Sequence, residues 1–418
     1  MTPQISTSTR ITLDVPGNQI HEAPTTLTPN MKSLNTMLDI APAGLPHSVK
    51  GSLVWSGPNL ANDKGYTFIL SAQDVAEVEK ALESFKQLGL DGDEITVSNF
   101  SLPTLGTKLQ ECARSLYDGM GFAVIRGLDS AKYSDEDNLM IYLGISGYIA
   151  DVRGVQDKKG NMLVHVTDSK KWSKVPLALR HGIHQPGTLS FHSDMPAEIL
   201  ALQVRQCAEE GGATCVSSVW TAYNELMLCH PEELQALATP NWPIQVSGKQ
   251  HRFMYAPLVQ VVDGKVFACL DASRLGSHPT SEPGRVPNLS PTQVRALSAL
   301  MEVASRHQLR IESKAGDLIF VNNFAMLHAR ERYKDGETTS RHIVRMWLRN
   351  TSLGWTIPDS MNSAWMTAFQ PRKTFTELYP VVPSPDYEIP KYTSGSAAFI
   401  VEDSSSDEIE EVFPGPST

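Results

Sequence analysis

The chain has 418 residues, a formal net charge of −10 at pH 7 and 41% hydrophobic residues, which suits one large globular domain or two modest ones. The negative charge argues against nucleic acid or an anionic membrane surface as a partner, and no apolar stretch approaches the roughly 20 residues that cross a bilayer. The N-terminus lacks the apolar core of a signal peptide, so we expect a cytoplasmic protein. Its five scattered cysteines form no Cys-x-x-Cys pair, which predicts reduced thiols.

The N-terminal part of the chain begins with an irregular arm and continues into a helix. Residues 1–50 are rich in Thr, Pro, Ser and Asn and have no sustained periodicity. Residues 71–88 have the pattern of an amphipathic helix, in which Ser71 caps the first turn and Asp74 completes a capping box. Gly89 ends this helix.

The middle of the chain predicts many short strands and few helices. A helix over 105–117 leads into a buried strand over 121–127, which is apolar and bounded by glycines. Between about 190 and 350, helices are predicted only at 218–228 and 290–306. Strands are predicted at 199–204, 259–269, 317–321 and 342–348. Short strands with few helices indicate a mainly β sandwich or jelly-roll core with flanking helices.

The last residues of the chain are acidic. From Val401 onwards the sequence contains Asp and Glu but no basic residue, which is typical of a disordered tail. We therefore predict an arm over 1–50, one domain over 51–395 with a jelly-roll core at about 120–350, and a tail over 396–418.

The densest chemical signal is the His-x-Asp motif of His192 and Asp194. In a strand, residues i and i+2 point to the same face, so these side chains project together, roughly 6–7 Å apart at Cα. That spacing allows both side chains to chelate one ion. Because the motif alone arises often by chance, a third ligand is needed to support a metal site.

His328 is the candidate third ligand. It follows a buried strand and a further extended stretch between residues 315 and 328. Two imidazoles and a carboxylate make the facial triad that leaves three positions open on iron(II), whereas a structural zinc site is closed. The alternative for His328 is a core histidine bonded to a backbone carbonyl.

A strand with two arginines follows the third histidine. If residues 341–349 form a strand, Arg341 and Arg345 share one face with Ile343 and Trp347. Burying two guanidinium groups there is costly without anions, and a dicarboxylate provides a fitting partner. The alternative is a pair of surface arginines on an edge strand.

The order of these motifs resembles the taurine dioxygenase (TauD/TfdA-like) family of iron(II)/2-oxoglutarate oxygenases, most closely its fungal members in secondary or peripheral metabolism. The resemblance spans about residues 105–349, and it implies a double-stranded β-helix, a distorted, cupin-like jelly roll. The motifs are His192-Ser193-Asp194, Gly211-Gly212-Ala213-Thr214, Gly316-Asp317 before a hydrophobic strand, Asn322-Asn323 through Leu327-His328-Ala329-Arg330, and Arg341 with Arg345.

The resemblance also implies roles for individual residues. His192, Asp194 and His328 match the iron(II) ligands. Arg341 matches the arginine that pairs with the far carboxylate of 2-oxoglutarate, and the hydroxyl of Thr214 matches a group that assists it. Arg345 matches a second arginine near the co-substrate or an anionic group of the substrate.

The reaction implied by this resemblance uses O2 and oxidises an unactivated C–H bond of a small molecule. Oxidative decarboxylation of 2-oxoglutarate to succinate accompanies it, and hydroxylation, desaturation and ring closure are all possible outcomes. The partner is then a small molecule, with Arg345 favouring an anionic one. The sequence does not define an oligomeric state.

Several other polar residues near these motifs have two interpretations. His181 and His184 precede the metal motif and are candidates for the substrate pocket, although loop histidines are usually solvated. Asn322 and Asn323 either bond the backbone near His328 or mark only a bend. The group of Arg330, Glu331 and Arg332 has the pattern of a surface ion-pair cluster.

Two rival functions use the same residues. A zinc hydrolase would activate water at the three ligands, but it needs a nearby glutamate as general base, and no His-Glu-x-x-His motif is present. A non-catalytic jelly-roll binding module would be expected to lose a ligand or the arginine, and all the matched positions are intact.

Overall fold

The computed structural model describes residues 44–60, 65–157, 159–171, 174–176, 180–195, 197–246, 252–277, 283–370 and 376–383. Most of the expected arm at 1–50 and the whole of the expected tail at 396–418 lie outside these ranges. The division of the chain at these boundaries therefore stays a prediction.

Seven α-helices and 17 strands lie within the described residues, and most of the strands follow one another in runs. The α-helices are α1 Ala72–Gln87, α2 Leu105–Asp118, α3 Asp135–Ile149, α4 Val219–Cys229, α5 Pro231–Ala238, α6 Pro291–Arg306 and α7 Asp359–Phe369. The strands are β1 Thr67–Ile69, β2 Phe122–Arg126, β3 Val152–Gly154, β4 Leu163–Thr167, β5 Leu189–His192, β6 Ile199–Gln206, β7 Glu210–Gly211, β8 Thr214–Ser218, β9 Trp242–Val246, β10 Arg252–Ala256, β11 Val259–Val262, β12 Lys265–Ala268, β13 Leu309–Ile311, β14 Leu318–Asn322, β15 Met326–Arg330, β16 Tyr333–Lys334 and β17 His342–Arg349.

The predicted helix starts are confirmed. The side chain of Ser71 accepts a hydrogen bond from the backbone N–H of Asp74, and the carboxylate of Asp74 accepts one from the backbone N–H of Ser71, so α1 has a complete capping box. Helix α6 begins in the same way with Ser290 and Gln293, and proline occupies its first turn.

Two sheets carry the core. The larger has the strand order β1-β2-β14-β6-β17-β3, and β4 also pairs with β17. The smaller has the order β13-β8-β15-β5. Strands β1 and β2 are parallel, while the pairs around β6, β17 and β15 are antiparallel.

Helices cover both sheets. Helix α2 packs on β2 and β14 of the larger sheet, and helices α4 and α6 pack on β8 of the smaller one. The fold class is therefore confirmed as mainly β with flanking helices. The sheets are mixed in direction and do not close into a barrel within the described residues, so the jelly roll is a distorted one.

Three features of the fold differ from the sequence expectation. The run at 259–269 is not one strand but the hairpin of β11 and β12, which turns at Asp263 and Gly264 with positive φ at both. Helix α5 is a third helix in the region where only two were predicted. Helix α3 was not predicted at all, because nine of its 15 residues are buried, none from Asn138 onwards is exposed, and it lacks the polar stripe that marks a surface helix.

Candidate active site

His192 and His328 are direct neighbours across two strands of the smaller sheet. His192 ends β5, His328 lies in β15, and the two are register partners. Their ring centroids are 4.1 Å apart. Antiparallel pairing therefore presents both imidazoles on one side of this sheet.

The carboxylate of Asp194 completes a group of three. Its Oδ1 atom lies 3.7 Å from Nε2 of His192 and 3.7 Å from Nε2 of His328. Ligand atoms of the three residues all lie within 4.8 Å of one another, and no fourth His, Cys, Asp or Glu from the described ranges joins them. Oδ1 is buried and has no hydrogen-bond partner there. An ion between the three atoms would satisfy it.

The other oxygen of Asp194 is held by the larger sheet. Oδ2 accepts a hydrogen bond from Nε1 of Trp347 at 2.9 Å and lies 2.8 Å from NH1 of Arg345. Both donors come from β17, on the face that the sequence assigned to Arg341, Arg345 and Trp347. Because Oδ2 is anchored, Oδ1 is fixed towards the two histidines.

Both histidines are suited to ligate a metal as neutral imidazoles. Nδ1 of His192 donates to the Ser190 carbonyl at 2.8 Å, which leaves the lone pair of Nε2 free. Burial, reinforced by the neighbouring His192 and Arg345, holds the pKa of His328 well below its usual value. The ring of His328 therefore does not need to lose a proton at neutral pH before binding a cation.

Both roles that the sequence left open for the two asparagines occur. One asparagine bonds the backbone near a candidate ligand, which is Asp194 rather than His328, and the other forms a bend. Oδ1 of Asn323 accepts from the Asp194 backbone at 2.9 Å, and its Nδ2 donates to the carbonyls of Asp194 and Ala197 at 2.7 Å each. Oδ1 of Asn322 accepts from the backbone nitrogens two and three residues later and forms the bend between β14 and β15.

Arg341 is buried against the backbone of Gly212 and the ring of Tyr333. Its Nε donates to the Gly212 carbonyl at 3.0 Å, and its guanidinium lies 5.4 Å from the centre of the Tyr333 ring. Its NH1 is buried and has no hydrogen-bond partner among the described residues. The Gly211-Gly212 pair allows this approach, because both residues have positive φ and a Cβ on Gly212 would come within 3.0 Å of the arginine.

Thr214 faces the same side of the smaller sheet as His328. It begins β8, where Val216 is the register partner of His328 and Thr214 is the register partner of Arg330. Directly opposite residues of an antiparallel pair share a face. Thr214 is also buried, and it lies two residues beyond Gly212.

The expectation that Arg330 belongs to a surface cluster is wrong. Arg332 is exposed, whereas Arg330 is buried, with 5% of its surface exposed. Its NH2 donates to the carbonyls of Gly182, Gln185 and Gly187, which ties the loop before β5 to β15. The i, i+2 rule that paired His192 with Asp194 also pairs His328 with Arg330, and it was the signal that could have found this residue.

His181 and His184 are buried in the same loop, so the expectation that they are solvated is wrong. Nε2 of His181 lies 3.5 Å from NH2 of Arg274. Burial, together with the nearby Arg345, lowers the pKa of His184 to about 4, although a backbone hydrogen bond with Thr167 opposes this shift. The role of His184 at a substrate stays a prediction.

Comparison with known proteins gives the same result as the geometry. Residues 84–347 match the family described as "Taurine catabolism dioxygenase TauD, TfdA family". The "Taurine hydroxylase-like protein SAT17" of Stachybotrys chartarum is 30% identical over 334 residues, which are 78% of this chain and 86% of that protein. The "FR-33289 synthase" of Streptomyces rubellomurinus is 25% identical over 336 residues, 76% of this chain and 95% of that protein.

Solved structures share the fold. Asparagine oxygenase, in complex with Fe(II), 2S,3S-3-hydroxyasparagine and succinate, aligns with a TM-score of 0.53 and 15% identity over 68% of this chain and 93% of that chain. The non-heme iron oxygenase OrfP in complex with Fe aligns with a TM-score of 0.51 and 15% identity over 71% and 98% of the two chains.

The distorted jelly roll and its His/Asp/His group define the class of non-haem iron, 2-oxoglutarate-dependent oxygenases. Within this class, the chain belongs to the TauD/TfdA family. It is an oxidoreductase that uses iron(II), 2-oxoglutarate and O2 to oxidise a small molecule. The zinc hydrolase and the binding module are not favoured. The structure has no helix, in the part of the chain that it describes, with the length and apolar character to span a membrane.

Proposed function

We propose that His192, Asp194 and His328 hold the catalytic iron(II). The observation that carries this proposal is Oδ1 of Asp194, buried, without a hydrogen-bond partner among the described residues, and equally distant from Nε2 of both histidines. The absence of a fourth side chain from the described group supports open positions for a co-substrate and O2.

The protein's own groups keep this centre in one arrangement. Trp347 and Arg345 orient the carboxylate, Ser190 orients the ring of His192, and Asn323 fixes the backbone that carries Asp194. When bound, the iron supplies the activation of O2, coupled to the decarboxylation of 2-oxoglutarate. The surrounding residues exclude water and hold the C–H bond to be oxidised.

We infer that Arg341 and Thr214 bind the distal carboxylate of 2-oxoglutarate. The buried, unpartnered NH1 of Arg341 supports this role, because a desolvated guanidinium group is stabilised by an anion. Burial also lowers the pKa of Arg341, which a bound carboxylate would counteract. Thr214 lies two residues from Gly212, whose carbonyl accepts from Arg341, and two residues from Val216, which pairs with His328.

The proposed substrate is a small molecule with an anionic group, in secondary or peripheral metabolism. Arg345 supports this proposal in part: NH1 is engaged by Asp194 and Nε donates to Gln156 at 2.8 Å, while NH2 is buried without a hydrogen-bond partner among the described residues. An anionic group of the substrate would supply the partner that NH2 lacks.

Succinate formation tests the reaction directly. Purified protein is incubated with iron(II), 2-oxoglutarate and O2, and slow succinate production is expected even without substrate. A hydrolase or a binding module would form none. A metabolite screen for the gain of one oxygen or the loss of two hydrogens then identifies the substrate.

The co-substrate site has its own test. We expect Arg341→Ala to raise the 2-oxoglutarate concentration needed for half-maximal turnover far more than the iron(II) concentration. Equal increases in both would indicate a misfolded protein and would contradict the assigned role.

A further inference from the structure

Two buried arginines flank one tyrosine beside the proposed iron site. The guanidinium carbon of Arg330 lies 5.1 Å from the centre of the Tyr333 ring, and that of Arg341 lies 5.4 Å from it. Arg330 is the last residue of β15, and Arg341 immediately precedes β17, so the two arginines reach this ring from different segments of the chain. They therefore form one cationic cluster.

This cluster has more donors than the protein satisfies. The buried atoms without a hydrogen-bond partner among the described residues are Nε and NH1 of Arg330, NH1 of Arg341 and the hydroxyl of Tyr333. Buried polar groups are nearly always hydrogen-bonded, because a buried donor without a partner is desolvated with nothing in return. Four such groups in one place indicate a missing acceptor.

The charge of the cluster also favours an anion. Arg330 is 5% exposed and Arg341 is 4% exposed, so both guanidinium groups are largely removed from water. Two guanidinium groups that are buried and repel each other are stabilised when a carboxylate is bound between them.

The position of Arg330 relates the cluster to the iron site. Arg330 is two residues beyond His328 on β15, on the same face, and its register partner on β8 is Thr214. A ligand that extends from the metal residues along this face therefore passes Thr214 and reaches both arginines.

We propose that Arg330 is a second arginine for the distal carboxylate of 2-oxoglutarate and binds it together with Arg341. This inference rests on the proposed function of the site. Arg330 then has two tasks, since its NH2 holds the loop carbonyls of Gly182, Gln185 and Gly187 while Nε and NH1 remain for the carboxylate.

The experiment compares two 2-oxo acids of equal chain length, 2-oxoglutarate and 2-oxovalerate, which lacks the distal carboxylate. Their binding to the iron(II)-loaded protein is measured anaerobically by calorimetry, so turnover is not involved. We expect Arg330→Met to weaken 2-oxoglutarate binding about 10- to 100-fold, the range for a lost hydrogen bond to a charged group. Binding of 2-oxovalerate should change less than about twofold, because it makes no bond that the substitution removes.

Three further variants complete the design. Arg332→Met, at an exposed position on the same segment, is the matched control and should leave both affinities unchanged. Arg330→Lys keeps the charge but loses the guanidinium geometry. It should reduce the preference for 2-oxoglutarate over 2-oxovalerate by a smaller factor than Arg330→Met does. This variant keeps the proposal testable if Arg330→Met fails to fold. Arg341→Met should also reduce the preference.

The outcomes distinguish a failure of the role proposed for Arg330 from a failure of the proposed co-substrate site. If substitution of Arg330 weakens both acids equally, the residue only holds the loop, and the inference is overturned. It is also overturned if neither affinity changes. If the wild-type protein does not prefer 2-oxoglutarate, or if Arg341→Met leaves that preference intact, the proposed co-substrate site itself is wrong.

Discussion

NH1 of Arg345 lies 2.8 Å from Oδ2 of Asp194, and both side chains are buried. A charge pair of this kind is costly to break from one side, because the remaining ion is left desolvated. Arg345 is therefore a positioning residue for the carboxylate proposed to bind iron, in addition to any contact with a substrate.

We predict that Arg345→Met weakens iron(II) binding by roughly 10- to 100-fold, as the loss of a buried charged partner implies. Trp347→Phe removes one neutral hydrogen bond from the same oxygen and leaves the charge pair intact, so its effect should be smaller, about fivefold. Anaerobic metal titration measures both affinities. A larger effect of Trp347→Phe than of Arg345→Met would contradict the role given to Arg345.

Gly212 gives a second prediction, for the co-substrate pocket. A Cβ at this position would lie 2.9 Å from Cδ of Arg341 and 3.0 Å from Cβ of Tyr333. Gly212→Ala should therefore displace the arginine and raise the 2-oxoglutarate requirement, by about tenfold if roughly 1.4 kcal/mol of binding free energy is lost.

The matched control is Gly264→Ala. Gly264 has a φ of +73°, close to the +75° of Gly212, but a Cβ there would meet nothing within 4 Å. This variant carries the same backbone strain without the contact. If both variants raise the 2-oxoglutarate requirement equally, strain rather than the position of Arg341 is responsible.

Glu198 leads to a prediction about stability and pH. This buried carboxylate accepts hydrogen bonds from Tyr117 and Arg349, yet burial raises its pKa to about 7 from 4.5. Because the folded-state pKa is the higher one, the folded protein binds more protons between pH 4.5 and 7. The contribution of this group to the free energy of unfolding therefore falls as pH rises through that window, by at most roughly 3 kcal/mol.

Urea unfolding at several pH values measures this contribution. We expect Glu198→Gln to remove that part of the slope between pH 4.5 and 7, because glutamine does not titrate. Glu232→Gln, at an exposed position in α5, should keep the wild-type slope. An unchanged slope in the Glu198 variant would contradict the raised pKa.

The sequence predicted those parts of the site that depend on local geometry. The i, i+2 spacing brought His192 and Asp194 together, and alternation along β17 correctly grouped Arg345 with Trp347, since both reach Asp194. His328 lies beside them because β15 pairs with β5, and local spacing does not encode this pairing. Here the resemblance to a family supplied the information.

The errors concern residues whose environment is formed by distant segments. Arg330 is buried against loop carbonyls at 182–187. The i, i+2 spacing places it on the same face as His328, but it does not reveal these distant partners. The contact of Arg345 with Asp194 was not predicted either, and the role of Arg345 at an anionic substrate stays a prediction. Helix α3 was missed because burial on all sides removes the periodic pattern from which helices are predicted.

The most direct test of the central claim is the iron(II) content of the protein after anaerobic dialysis against excess metal and removal of unbound ions. The account predicts one iron per chain for the wild type and for His307→Ala, a histidine outside the group, and close to none for His328→Ala. One tightly bound iron per chain in His328→Ala would show that His192, Asp194 and His328 do not form the metal site.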